Sequence, residues 1–300
     1  MRVALDFNES KHVKIKLTQT QKRLIRRMYK QSFEEIKKNL EKLQIYDNIS
    51  SKANEVVLRE MAESIKDEYR KLGSDLNDTI RQNMRTVSET VVEESANFAK
   101  GLGFTVGGGY YSMPTEIINR IATGKIYEKG WTLSKQIWQQ STKISKDINI
   151  IIAKGITLNK STYDIAKELE RYVNPNARKD WEWSKVYPGT NRKIDYNAQR
   201  LARTLVAHAY EQSIINTTRS NPFVKGIRWL TSNSHRVCPI CLDRDGQIYK
   251  PDELPLDHPN GMCTFEAVIE DDMKTISDRI ADWVKGNYDY ELDEYAKTLK

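Results

Sequence analysis

Apolar side chains recur every three or four positions through the first third of the chain, in stripes so narrow that only helices can present them as faces. One stripe is Tyr29, Phe33, Ile36, Leu40 and Leu43; a second is Val57, Met61, Ile65, Tyr69 and Leu72; a third is Leu76, Ile80, Met84, Val87, Val91 and Phe98. The spacing is helical and close to a heptad seam, with charges on the other faces. Thr18-Gln19-Thr20-Gln21 fits a capping box and predicts a helix start there, Asn48–Ser51 predicts a break, and Gly73 followed by Ser74 and Asp75 predicts another. Three such helices predict an extended bundle or arm whose seams pair with another chain, either a homo-oligomer or a partner protein. With 39% apolar and 30% charged residues, the chain is too polar for one large compact α/β enzyme. No apolar run approaches the ~18–20 residues of a membrane span. The first ten residues hold no signal-peptide core. A soluble protein made in the cytoplasm, with no membrane partner, is the expectation.

Beyond residue 100 the character changes. Gly101-Leu102-Gly103 and Gly107-Gly108-Gly109 predict a hinge rather than a phosphate loop, because no βαβ context or Gly-Lys-Ser/Thr accompanies them. Pro114 opens a short helix that Gly124 closes. Trp131–Ala153, ended by Gly155, and a helix capped by Ser161 and running to Val173 follow; Asn174–Lys193, with Trp181 and Trp183, reads as an exposed loop. A long helix resumes at Asp195 and runs to about Asn221-Pro222. Short β runs come next (Ile227–Thr231, Gly246–Tyr249, Thr264–Ile269), with Asp245-Gly246 as a turn. From Ser277 the chain reads as a helix and then an aromatic-acidic extension. The fold class expected is mainly α, with a small metal-stapled α+β module near the C-terminus. The expected divisions are a basic helical arm or bundle (1–100), hinge and short helix (101–130), central helical region (131–222), metal module (223–272) and helical, acidic tail (273–300).

The net charge of +7 is concentrated: residues 1–45 hold twelve Lys/Arg and five acids, and the remainder balances. Lys11, Lys14, Lys16, Lys22, Arg23, Arg26, Arg27 and Lys30 form a run of eight basic residues with no acid between them. Such a run can serve as a solvated helix face. It can also release counterions from nucleic acid or meet an acidic partner, so these eight are the candidate contacts for double-stranded DNA.

The sharpest chemical signal is that all three cysteines fall within 26 residues beside a histidine: Cys238-Pro239-Ile240-Cys241, then His258, then Cys263. A CxxC knuckle chelates one ion with two thiolates, and a returning hairpin can bring His258 and Cys263 to the same point. Soft thiolates plus imidazole suit zinc, and four protein ligands leave no open position for a substrate water, so a structural ion is expected. His235 is the alternative fourth ligand. A redox CxxC belongs at a helix start in a βαβ pattern, which is missing. Asp257-His258-Pro259-Asn260 resembles a nuclease metal core only superficially, because His258 is the last histidine. His208 reads as a packed or surface helix residue. No serine-hydrolase or metalloprotease motif occurs.

The order Arg200-Leu201-Ala202-Arg203-Thr204, Arg228-Trp229, Arg236-Val237-Cys238-Pro239-Ile240-Cys241, Asp245-Gly246 and His258-Pro259-Asn260-Gly261-Met262-Cys263-Thr264 resembles the head-morphogenesis (minor head protein) family of tailed bacteriophages, over about residues 131–270. Family members often carry Cys-Arg-Cys after His-Pro-Asn, where this chain has Gly261, Met262 and Cys263; one downstream thiolate is lost and His258 becomes more necessary. The resemblance implies a low-copy structural protein of the virion, made in the bacterial host cytoplasm and lying inside the head near the portal. Its partners would be the portal protein, other capsid components and viral double-stranded DNA bound non-specifically, with a role in capsid assembly, DNA packaging or DNA ejection and no enzymatic activity. The rival expectations are a zinc-containing nuclease or toxin-like enzyme and a DNA-binding adaptor unrelated to virions.

Overall fold

The computed structural model describes residues 4–41, 55–127, 132–158, 160–176, 195–231 and 237–300. Trp131, Trp181, Trp183 and His235, and the predicted break at residues 48–51, lie outside them. The described chain is mostly helical: α1 (Asn8–Glu41), α2 (Glu55–Gly101), α3 (Met113–Ala122), α4 (Leu133–Thr157), α5 (Thr162–Val173), α6 (Tyr196–Thr218), α7 (Pro239–Arg244), α8 (Met273–Val284) and α9 (Tyr290–Thr298). Three short strands accompany them: β1 (Gly226–Leu230), β2 (Ile248–Tyr249) and β3 (Thr264–Val268). The expected class, mainly α with a small β-containing module, is what the chain adopts. No helix among the described residues is long and apolar enough to cross a membrane.

Three boundaries differ from the sequence reading. The capping box does not open α1. The helix begins at Asn8, where the Glu94 carboxylate accepts from the backbone N–H of Glu9 (2.7 Å) and Ser10 (3.1 Å), satisfying first-turn donors that have no partner in the helix. Thr18 sits inside α1 with its hydroxyl donating to the Lys14 carbonyl at 2.9 Å. Gly73 does not end a helix either. A mid-helix glycine costs only about 1 kcal/mol relative to alanine, and Leu72 and Leu76 on either side are both buried at 4% exposure, so α2 continues. Gly155 likewise lies within α4, where the absence of a Cβ makes room for the Ile165 side chain of α5.

The chain divides into two compact units, Thr20–Thr79 with Trp131–Ala202, and Met1–Gln19 with Ile80–Gly130 and Arg203–Lys300. In the first, Ile25, Tyr29, Ile36, Leu58, Ile65, Tyr69, Ile148, Ile151, Ile165 and Leu169 are buried, with the Tyr29 and Tyr69 rings 6.2 Å apart. Tyr172 donates to the Asp147 carboxylate at 2.8 Å, and Lys143 completes the pair at 3.0 Å. In the second unit β1 is the central strand of an antiparallel sheet ordered β2-β1-β3, in register Ile227↔Tyr249 and Trp229↔Phe265. Leu5 adds a single bridge to Ala267. Trp229 meets Phe265 edge-on at 5.0 Å, and Tyr210 of α6 stacks on Phe265 at 5.9 Å. The segment after α2 is pinned: Gly107 N–H donates to Leu299 O (2.6 Å) and Gly109 N–H to Lys300 O (3.1 Å). The seam of Ile80, Met84, Val87 and Val91, expected to await another chain, is at most 1% exposed within this one.

Candidate metal centre

Pro239 stands in the first turn of α7 and the preceding residue, Cys238, is its N-cap. The Cys238 sulfur accepts from the Cys241 N–H at 3.4 Å. That bond holds the Cys238 thiol below the usual range, while burial pushes the Cys241 thiol well above it. The same cap folds both sulfurs of the CxxC toward one point. His258 Nε2 lies 3.3 Å from the Cys238 sulfur. Its Nδ1 is 3.1 Å from the Pro259 carbonyl, which can only accept, so the proton belongs on Nδ1 and the Nε2 lone pair is free to bind metal.

The loop carrying His258 is held by one polar face of α6. Thr204, His208 and Glu211, at helical spacing of four and three, each take a backbone group of residues 257–260. Thr204 Oγ1 accepts from Asn260 N–H (2.9 Å), His208 Nε2 donates to Asp257 O (2.9 Å), and a Glu211 carboxylate oxygen accepts from Asp257 N–H (2.9 Å). The Tyr127 hydroxyl at 2.8 Å from His208 Nδ1 completes the tautomer. Asn260 adopts a left-handed φ of 74°, a conformation asparagine tolerates, where the loop turns back toward β3. His208 is therefore packed and holds the loop in place. Neither it nor Glu211 was singled out for this from sequence, although a Thr-His-Glu stripe through an apolar helix is the signal that would have found them.

Cys263, immediately before β3, is buried, and burial raises its thiol. Its carbonyl accepts from the Lys14 ammonium, which also lies 4.9 Å above the Tyr210 ring. Burial lowers the Lys14 pKa, opposed by the Asp257 and Glu211 carboxylates; burial also pushes Glu211 up to about 8. Metal-ligating atoms gather in two triads that share Cys241: Cys238, Cys241 and His258 in one, Cys241, Asp257 and Cys263 in the other, each within 4.8 Å. This group could hold a metal ion. Thiolates and an imidazole suit a borderline-soft cation, and such a cation would favour the ionised form of the buried thiols. The sequence points to Cys238, Cys241, His258 and Cys263 as ligands, but not to Asp257.

The eight basic residues of α1 are not alike. Lys16, Lys22, Arg23, Arg27 and Lys30 are exposed, Lys11 and Arg26 half-buried, and Lys14 enclosed, so its ammonium is turned to Cys263 and away from any phosphate. Arg26 donates to Asn176 Oδ1 at 2.7 Å.

Among protein families, the model described as Phage Mu protein F like protein, a head-morphogenesis family, matches residues 142–265. The match lies within the span read from the sequence and ends at Phe265, just past the last cysteine of the centre. No curated protein and no solved structure matches the chain.

Proposed function

We propose that this chain is a structural minor head protein of a tailed phage, built into the virion with other capsid components and associated with the portal. The observation that carries the reading is the family match over residues 142–265, which takes in α5, α6 and the whole Cys/His group. In this reading the ion is a structural zinc held by Cys238, Cys241, His258 and Cys263. It supplies folding energy to a module whose strands have only two to five residues. Structural zinc in small modules contributes an apparent ~10–16 kcal/mol at neutral pH. The exposed basic residues of α1 bind viral double-stranded DNA non-specifically, as a protein acting in assembly, packaging or ejection would require. The role is structural and no reaction is assigned to it.

The test is a phage carrying this gene and a derivative with the gene deleted, their heads purified and compared by quantitative mass spectrometry. The protein is expected in intact heads at a few copies each, and the deletion is expected to yield heads defective in DNA content or infectivity. Absence from purified heads would overturn the reading. Cleavage of plasmid DNA by the purified protein with a divalent cation would replace it by a nuclease.

A further inference from the structure

We infer that Asp257 is a ligand of the metal, giving an otherwise sulfur- and imidazole-bound centre one oxygen donor on its buried side. The inference rests on the metal reading of the Cys/His group. Asp257 is 2% exposed, and neither carboxylate oxygen has a hydrogen-bond partner, although the backbone N–H and C=O of the same residue are both satisfied. A carboxylate so placed must be neutralised, paired or coordinated. The buried cation nearby in the same core, Lys14, is turned to the Cys263 carbonyl. What does lie within 4.8 Å of the carboxylate are the sulfurs of Cys241 and Cys263. Three buried acidic groups facing one point repel one another as anions, and a divalent cation among them converts that repulsion into binding.

The loop is shaped for this placement. A Cβ on residue 261 would overlap both Asp257 carboxylate oxygens, so glycine at 261 keeps open the space the carboxylate occupies. The α6 face fixes the backbone of Asp257 on both sides, through Glu211 and His208, as ligand-bearing loops are fixed by their supporting hydrogen bonds. With the His258 imidazole neutral, three thiolates and a carboxylate outweigh the charge of a divalent cation and leave the centre anionic, and Lys14 is the buried positive charge beside it.

The experiment uses the full chain, stripped of metal under reducing conditions and titrated with Co(II), whose spectrum reports the donors, and then with Zn(II) against a chromophoric chelator. Asp257→Asn is expected to weaken Zn(II) binding at least about tenfold and to shift the Co(II) ligand-field bands. A merely structural role would leave the Co(II) ligand-field bands unchanged. Gly261→Ala, which keeps the carboxylate but displaces it, should weaken binding in the same direction. Asp257→Cys should strengthen the sulfur-to-cobalt charge-transfer absorption. Wild-type affinity and an unchanged Co(II) spectrum in Asp257→Asn would overturn the assignment and leave the metal reading standing. A wild-type chain that takes up neither ion would overturn both.

Discussion

Lys14 shows how far one side chain can depart from what its neighbours in sequence suggest. It lies in a basic run, yet its ammonium is buried beside Tyr210 and donates to the Cys263 carbonyl, with the Asp257 carboxylate nearby. Lys14→Met keeps the stem and removes the charge. Removing one partner of a buried charge cluster typically costs about 3–5 kcal/mol, so the midpoint of denaturant unfolding should fall accordingly. An unchanged midpoint would mean that the ammonium contributes nothing to the fold. The register of α1 explains why this was illegible. Ser10, Lys14, Thr18 and Gln21 occupy the buried face that Ile25, Tyr29 and Phe33 continue, but the first four are polar, so hydrophobic periodicity begins only at Ile25. The gathering of the three cysteines and His258 was legible, because a CxxC followed by a His and a Cys at this spacing is a metal-ligand pattern. Asp257 was not, because a lone aspartate before a His-Pro-Asn sequence carries no ligand spacing, and only the fold puts its buried carboxylate beside two of the cysteines.

At the level of elements, periodicity located nearly every helix and all three strands, and failed at their ends. Glycine reads as a stop in the sequence where packing carries the helix through, as at Gly73 and Gly155. The sequence from Tyr288 onward reads as an aromatic-acidic extension, yet residues Tyr290–Thr298 form α9. Its apolar positions are few, but Leu292, Tyr295 and Leu299 are completely buried, and Phe104 packs edge-on against Tyr295 at 5.2 Å. Asp289 caps this helix by accepting from Leu292 N–H at 3.1 Å. It also receives two hydrogen bonds from the Arg279 guanidinium of α8, at 2.7 and 3.0 Å. The Arg279 bonds hold the Asp289 carboxyl below the usual carboxylate range. A carboxyl with a depressed folded-state pKa binds fewer protons folded than unfolded, so its stabilisation is full above the unfolded pKa of ~3.9 and is lost as pH falls through the folded value. Asp289→Ala should therefore cost about 0.5–2 kcal/mol near neutrality. The difference from wild type should shrink as the pH is lowered below 4 in parallel denaturation curves. A gap that stays constant into acid would show that the carboxylate charge is not what holds α8 to α9.

For the molecule as a whole, charge is distributed more tellingly than fold. The entire net charge of +7 resides in residues 1–45, and within the unit that holds residues 20–79 the exposed cations Lys22, Arg23, Arg27 and Lys30 lie on α1. The proposed DNA contact makes a quantitative demand on these four. Each phosphate neutralised on duplex DNA releases close to one counterion, so the log–log slope of affinity against salt should be about −0.9 per contact. Replacing Lys22, Arg23, Arg27 and Lys30 by alanine should flatten the slope by up to four such contacts, with no change in sequence preference, as measured by fluorescence anisotropy on random duplexes. The control is a triple alanine variant at Lys274, Lys285 and Lys297, whose side chains are 67–82% exposed and already paired with Asp278, Asp282 and Glu294. That variant removes nearly as much charge from the tail and should leave the slope where it was. Equal slopes in the two variants would mean that net charge alone draws the chain to DNA. A wild-type affinity indifferent to salt would remove DNA from the proposed partners of α1 altogether.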